Sequence, residues 1–165
     1  MEFRKKIDKI LELILIVLMG VLVINVLWQV ISRYLLKSPS SFTDELARFL
    51  LIWVGILGAG YAAGKKLHLA IDILPSKLSE KRKVILDRII YLLVGLFAAS
   101  VMVVGGLRLV YITLHLQQTS PSLKLPMGLV YIVIPLSGLL IVYYCVSDII
   151  LLKKKSRTKG EINKN

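Results

Sequence analysis

The sequence predicts an all-α integral membrane protein with four transmembrane helices, both termini cytoplasmic, and short amphipathic flanking segments. Three observations lead there. The 165-residue chain is 56% hydrophobic yet carries a formal net charge of +12, a combination foreign to soluble domains of this size. Residues 13–32, 49–64, 89–107 and 125–147 contain no charged residue or histidine and run for 20, 16, 19 and 23 positions; about 20 residues at about 1.5 Å each cross a hydrocarbon layer roughly 30 Å thick. Finally, 17 of the 22 Lys and Arg residues fall in the N-terminal segment, the connection between the second and third stretches, and the tail, leaving 5 in the other two connections. Cytoplasmic loops hold the excess of cations, which sets the orientation. The expected spans are about 11–33, 45–65, 88–109 and 125–148, forming a transmembrane domain over 1–152, followed by a basic cytoplasmic tail at 153–165.

Each element has a local reason. Residues 1–12 place Phe3, Ile7, Ile10 and Leu11 at helical spacing among cations, so they continue the first helix or lie along the anionic inner leaflet. The first apolar run is too long for a signal-peptide core and lacks an Ala-x-Ala pattern before Arg33, which marks an uncleaved anchor. Lys37-Ser38-Pro39-Ser40-Ser41 breaks the helix. Ser41-Phe42-Thr43-Asp44 then fits a capping box, with Asp44 and Glu45 at the positive end of the second helix. Leu46 and Ala47 lengthen that span, and Lys65 and Lys66 snorkel from its other end. Pro75 divides the following loop, after which Ser79 to Arg88 reads as a helical lead into the third span. Gln117 to Ser122 is a polar turn. Pro126 starts the fourth helix without cost, whereas Pro135 interrupts it. The tail from Lys153 reads as disordered. Trp28, Tyr34, Trp53 and Tyr111 fall toward the outer boundary and Tyr91, Tyr143 and Tyr144 toward the inner one, as aromatic belts do.

Composition also excludes function classes. A single cysteine, Cys145, rules out an internal disulfide or a CxxC relay. Cations at membrane borders indicate topology rather than nucleic acid binding. The two histidines, His68 and His115, belong to opposite sides of the membrane and cannot share one haem. No Walker pattern is present. No internal repeat of a kind that builds a carrier is visible. Most telling, no ionisable residue lies near the bilayer centre, where a self-sufficient proton-coupled carrier keeps one.

What remains is packing chemistry. Gly55, Gly58, Ala59, Gly60, Ala62, Ala63 and Gly64, including Gly60-x-x-x-Gly64, allow close helix approach, either among the four helices or against a larger membrane partner. Asn25, Gln29 and Ser32 form a polar stripe on the first helix, suited to interhelical hydrogen bonds. Glu45 and Arg48, at i,i+3, and Arg33 across the short loop are expected to form an ion cluster that fixes the first two helices. Lys65, Lys66, His68 and Asp72 mark the cytoplasmic edge, where a solvated charge cluster is the simplest reading.

The order of landmarks resembles a known family. Gln29-Val30-Ile31-Ser32-Arg33-Tyr34, Ser38-Pro39, Thr43-Asp44-Glu45-Leu46-Ala47-Arg48, Trp53, Gly58, the loop with His68 and Asp72, then Gln118-Thr119-Ser120-Pro121, Pro126, Tyr131 and Pro135 are similar to the small, Q-type membrane subunit of tripartite ATP-independent periplasmic (TRAP) transporters over roughly residues 5–150. Phe42 stands near the place where the family typically has Trp. The resemblance implies a multi-pass protein of the bacterial inner membrane that is not an enzyme. It implies a large membrane subunit and a periplasmic substrate-binding protein as partners, beside the lipid bilayer. It implies sodium-coupled uptake of an organic acid such as a sialic acid or C4-dicarboxylate, the sodium coupling residing in the large subunit and no cofactor in this chain. Asn25, Gln29, Arg33, Glu45, Arg48, Trp53, Gly60 and Gly64 are then candidates for the large-subunit interface or for internal structure. A membrane anchor of a redox enzyme and a stand-alone small carrier are the other readings.

Overall fold

A computed structural model describes residues 2–37, 40–65 and 80–162. Lys66, His68 and Asp72 lie outside them. The elements are α1 (Glu2–Tyr34), α2 (Ser41–Gly64), α3 (Glu80–Phe97), a π-helical segment (Ala98–Gly105), α4 (Gly106–His115), α5 (Met127–Tyr131) and α6 (Val133–Ile162). They supply four helices long and apolar enough to cross a membrane: Arg4–Tyr34, Ser41–Gly64, Val84–His115 and Met127–Leu152. Among the described residues the only strand-like contact is an isolated antiparallel bridge between Thr119 and Pro126.

The N-terminal residues take the first of their two expected forms, since α1 is helical from Glu2. Its first turn carries Glu2 and its last Arg33, as the helix dipole favours. Along α1 the sheltered positions are Ile7 and a series, Arg4, Asp8, Leu11, Leu15, Leu18, Leu22, Asn25, Gln29 and Ser32, that alternates steps of four and three. That seven-residue repeat is the seam of a left-handed helix pair, and its partner is α2.

The start of α2 corrects the expected capping box. Ser40 is the N-cap residue and no side chain caps the helix; the Thr43 hydroxyl donates to the Ser40 carbonyl at 2.9 Å. Asp44 is drawn elsewhere, to partners described below. In the fourth span the ladder breaks at Ile132, between α5 and α6. Pro135 has no N–H to return to the Tyr131 carbonyl, which accounts for the break one turn earlier. The expectation of a disordered tail is also corrected, since α6 continues to Ile162; Lys and Arg are good helix formers on an already nucleated helix.

The helices stand in a row. α1 packs on α2, α2 on α6, and α6 on α3 and the π segment. α6 is therefore central: 44% of its membrane window is buried, against 11% for each of the other three. Its inner side joins Ile141 and Cys145 to Ala98, with Ala63, Tyr91 and Met102 around them. Two pairs of close approach set the spacing. Gly106 lies against Pro135 and Gly138 against Met102, so closely that a Cβ at either would sit within 3 Å of its neighbour.

Candidate functional site

The apolar row is closed at each end by polar contacts. At the end carrying the connections 35–40 and 116–126, the Asn25 amide donates to the Thr43 carbonyl at 2.8 Å. The Gln29 amide donates to Asp44 Oδ1 at 2.9 Å. Arg48 pairs with the other oxygen of Asp44, one turn away on the same helix. Ser32 turns back to the Gln29 carbonyl at 3.0 Å. The polar stripe thus joins α1 to α2.

The expected Arg33, Glu45 and Arg48 cluster does not form. Arg33 is exposed and stands outside these contacts among the described residues. Glu45 turns to the 116–126 connection instead, where Oε2 accepts the Ser120 hydroxyl at 2.8 Å and the Leu123 N–H at 2.9 Å. The Ser122 N–H reaches both carboxylate oxygens at 3.1 Å. The cause is local geometry. Lys124 sits at φ 52°, and the turn it closes, with the Ser120 N–H on the Leu125 carbonyl at 2.9 Å, aims consecutive N–H groups at one point. A carboxylate satisfied by several N–H and O–H donors outcompetes an exposed arginine neighbour.

Deeper in, the Trp53 indole N–H donates to the Val130 carbonyl at 3.1 Å, close to the break in the fourth span. Ser137 donates to the Ile56 carbonyl at 2.8 Å. Gly60 and Gly64 are both buried against α6. A Cβ on Gly60 would lie 2.7 Å from the Ser137 oxygen, and one on Gly64 would lie 2.5 Å from the Tyr144 ring. These two glycines are spent on internal packing. Gly20, Gly55 and Gly58 meet nothing within 4 Å.

The opposite end, shared by the termini, holds a network that sequence reasoning missed. Arg4 pairs with the fully buried Asp148 at 2.7 Å and also donates to the Gly64 carbonyl, meeting the negative end of the α2 dipole. The Tyr144 hydroxyl donates to Asp8 Oδ1 at 2.6 Å, and Lys65 stands 3.7 Å from the other Asp8 oxygen. The Arg4 guanidinium lies 5.1 Å from the centre of the Tyr144 ring, and Lys65 lies 5.4 Å from that of Tyr61, distances at which cation–π attraction operates. α1, α2 and α6 are thereby tied at one point. The only available signal was two acids and a tyrosine at the edges of apolar runs, and pairing across 144 positions leaves no local pattern.

Between α1 and α2 the surface opens into an apolar groove of about 720 Å³, lined by residues including Leu15, Met19, Gly20, Val23, Val54 and Gly58. Among the described residues no three His, Cys, Asp or Glu side chains gather to hold a metal. His115 is exposed and stacks on Tyr111, ring centroids 5.9 Å apart.

Four helices able to cross a membrane, polar contacts at both ends and an apolar groove on α1 and α2 define a multi-pass membrane protein. The comparisons with known proteins are more specific: residues 13–154 match the family described as tripartite ATP-independent periplasmic transporters, DctQ component, and the chain belongs to that family. It is similar to a putative TRAP transporter small permease protein of Haemophilus influenzae, 30% identical over 135 residues and 82% of each chain. It is also similar to the sialic acid TRAP transporter small permease protein SiaQ of Vibrio cholerae, 30% identical over 136 residues and 79% of each. A third similarity is to the isethionate TRAP transporter permease protein DctMQ of Oleidesulfovibrio alaskensis, 29% identical over 119 residues, which are 71% of this chain and 19% of that protein. The chain is a transporter component and not an enzyme, which removes the redox-anchor reading.

Proposed function

We propose that this chain is the small permease subunit that braces the large membrane subunit of a TRAP transporter during sodium-coupled, binding-protein-dependent uptake of an organic acid. The observation that carries the reading is the groove on α1 and α2. α1 is packed along one seam only, and Gly20 and Gly58 stay open beside it. Small residues on an uncovered helix face allow a further helix to approach closely in lipid. The match to part of a much longer permease supports a large partner in contact with such a segment. The uncharged middle of all four spans leaves sodium and substrate to that partner, against a stand-alone carrier. Substrates named for relatives differ, sialic acid for one and isethionate for another, so specificity is assigned to the partner and the binding protein. The membrane is the bacterial inner membrane, with both termini in the cytoplasm.

The test is co-purification of the large subunit with this chain in mild detergent, followed by sodium-driven uptake in proteoliposomes supplied with the binding protein. Wild type is expected to hold the large subunit and support uptake, and Gly58→Leu to release it while remaining folded. A chain that purifies alone, or a complex unaffected by Gly58→Leu, would overturn the reading. Gly60→Leu reports internal packing instead.

A further inference from the structure

α4 carries groups that bracing does not use. At 100° per residue, Gly106, Val110 and Thr113 share one face and are sheltered, whereas Arg108, Tyr111 and His115 share the diametrically opposite face and are all exposed. The Tyr111 and His115 rings lie nearly parallel, 7° apart, so the face is ordered. Among the described residues Arg108 makes no hydrogen bond or ion pair.

The depth of that face is fixed by the helix itself. Arg88 and Arg108 bracket 19 uncharged residues; at about 1.5 Å per α-helical residue, and somewhat less through the π-helical turns of Ala98–Gly105, they span a little under about 30 Å, close to the hydrocarbon thickness. Arg108 therefore stands at the boundary on the loop side. Tyr111, three residues on, stands about 4.5 Å further, inside a headgroup layer about 5–7 Å thick, and His115, about 10 Å on, stands at its outer edge. On the hydrocarbon side the exposed residues include Val101, Val104 and Leu107, and the exposed Ser100 hydroxyl is satisfied by the Leu96 carbonyl of its own helix at 2.8 Å. A guanidinium turned to lipid at that level meets the phosphodiester as its nearest anion, and it forms paired hydrogen bonds to phosphate oxygens more readily than an ammonium would. Tyr111 adds an O–H within the same layer, and the His115 ring stacked on it adds an N–H at its outer edge.

We infer that the Arg108, Tyr111 and His115 face of α4 is a phospholipid headgroup site, which takes the phosphodiester of a glycerophospholipid and favours net-anionic headgroups such as phosphatidylglycerol. The site needs only the membrane placement of this helix and is independent of the large subunit.

The experiment titrates the purified full-length chain with phosphatidylglycerol, reads bound lipid by native mass spectrometry, and checks helical content by circular dichroism. Arg108→Gln is expected to weaken the tightest phosphatidylglycerol about fivefold, the worth of one cation near an anionic surface. Arg108→Lys is expected to keep binding within about twofold, and Arg48→Gln, at the same end but paired with Asp44, to match wild type. Unchanged binding in a folded Arg108→Gln chain would overturn the site, as would a loss in Arg108→Lys equal to that in the Gln variant. Displacement of the lipid by millimolar inorganic phosphate would overturn the lipid assignment. A benzophenone placed through Tyr111→Cys in the co-expressed complex is expected to crosslink to lipid; crosslinks to protein alone would assign the face to a partner.

Discussion

Gly64→Ala is the sharpest probe of how the row is held together. A Cβ at Gly64 would lie 2.5, 2.6 and 2.9 Å from three atoms of the Tyr144 ring, so the ring must retreat by about 1 Å to reach ordinary contact. It has nowhere to go: Tyr144 is 1% exposed, its hydroxyl is held by Asp8 at 2.6 Å, and Arg4 covers its face. Overpacking costs about 1–3 kcal/mol, a weakened hydrogen bond to a charged group about 1.5–3 kcal/mol, and the better helix propensity of Ala returns up to about 1 kcal/mol. The net loss expected is about 1.5–6 kcal/mol, or roughly 3–24 °C in thermal midpoint for a chain of this size. The assay is denaturation in mixed detergent micelles followed by circular dichroism, beside Gly55→Ala and Gly58→Ala, which meet open space and are expected to match wild type or gain up to about 1 kcal/mol. A Gly64→Ala chain as stable as wild type, or a Gly58→Ala chain destabilised to the same degree, would refute the division of the glycine face into an inner and an outer half.

The same denaturation assay bears on the polar ends. Asn25→Leu, which loses the bond to the Thr43 carbonyl, is expected to cost about 0.6–2 kcal/mol. Arg4→Met and Asp148→Asn are each expected to be clearly destabilising, with a double-mutant coupling of about 1–3 kcal/mol; additive effects would dissolve the pair. Arg48→Ala, which breaks only an exposed pair within one helix, is expected to stay within about 0.5 kcal/mol of wild type. Glu45→Gln should speed amide hydrogen exchange at Ser122 and Leu123, the two N–H groups its carboxylate accepts, and leave the amide of Asp44 unchanged; equal exchange at all three would remove the loop clamp.

The four spans were legible because length and charge are the quantities the bilayer itself reads. The seam of α1 was not, although its four-three repeat is written in the chain. In water, polar residues on the outer face would have marked it. Here Leu13, Val17, Val21 and Leu27 cover the exposed side as fully as Leu15, Leu18 and Leu22 cover the seam, so apolar periodicity carries no contrast. Asn25 and Gln29 were readable as interhelical groups because polarity inside a span demands a partner, and the structure supplies Thr43 and Asp44. Glu45 misled because sequence spacing exposes the i,i+3 neighbour Arg48 and hides a loop 75 positions away. Gly60 and Gly64 were legible as sites of close approach, but a missing side chain does not say which helix fills the space.

These placements bear on what a row of helices can do that a closed bundle cannot. A bundle hides its best packing surfaces from further partners, whereas a row leaves both flanks of every outer helix open. Open flanks are useful only if the helices keep their spacing, because a groove between independently moving walls must be ordered at the moment of binding. α1 would be the weak member, with only α2 beside it through the apolar middle. The polar contacts compensate at its two ends: Asn25 and Gln29 fix one to α2, while Arg4 and Asp8 fix the other to α6. Between those anchors the groove beside Gly20 and Gly58 has walls of set separation, so a helix entering it meets a surface whose ordering cost was met when the chain folded. Charge at the ends and none in the middle is therefore a mechanical arrangement as much as a topological one.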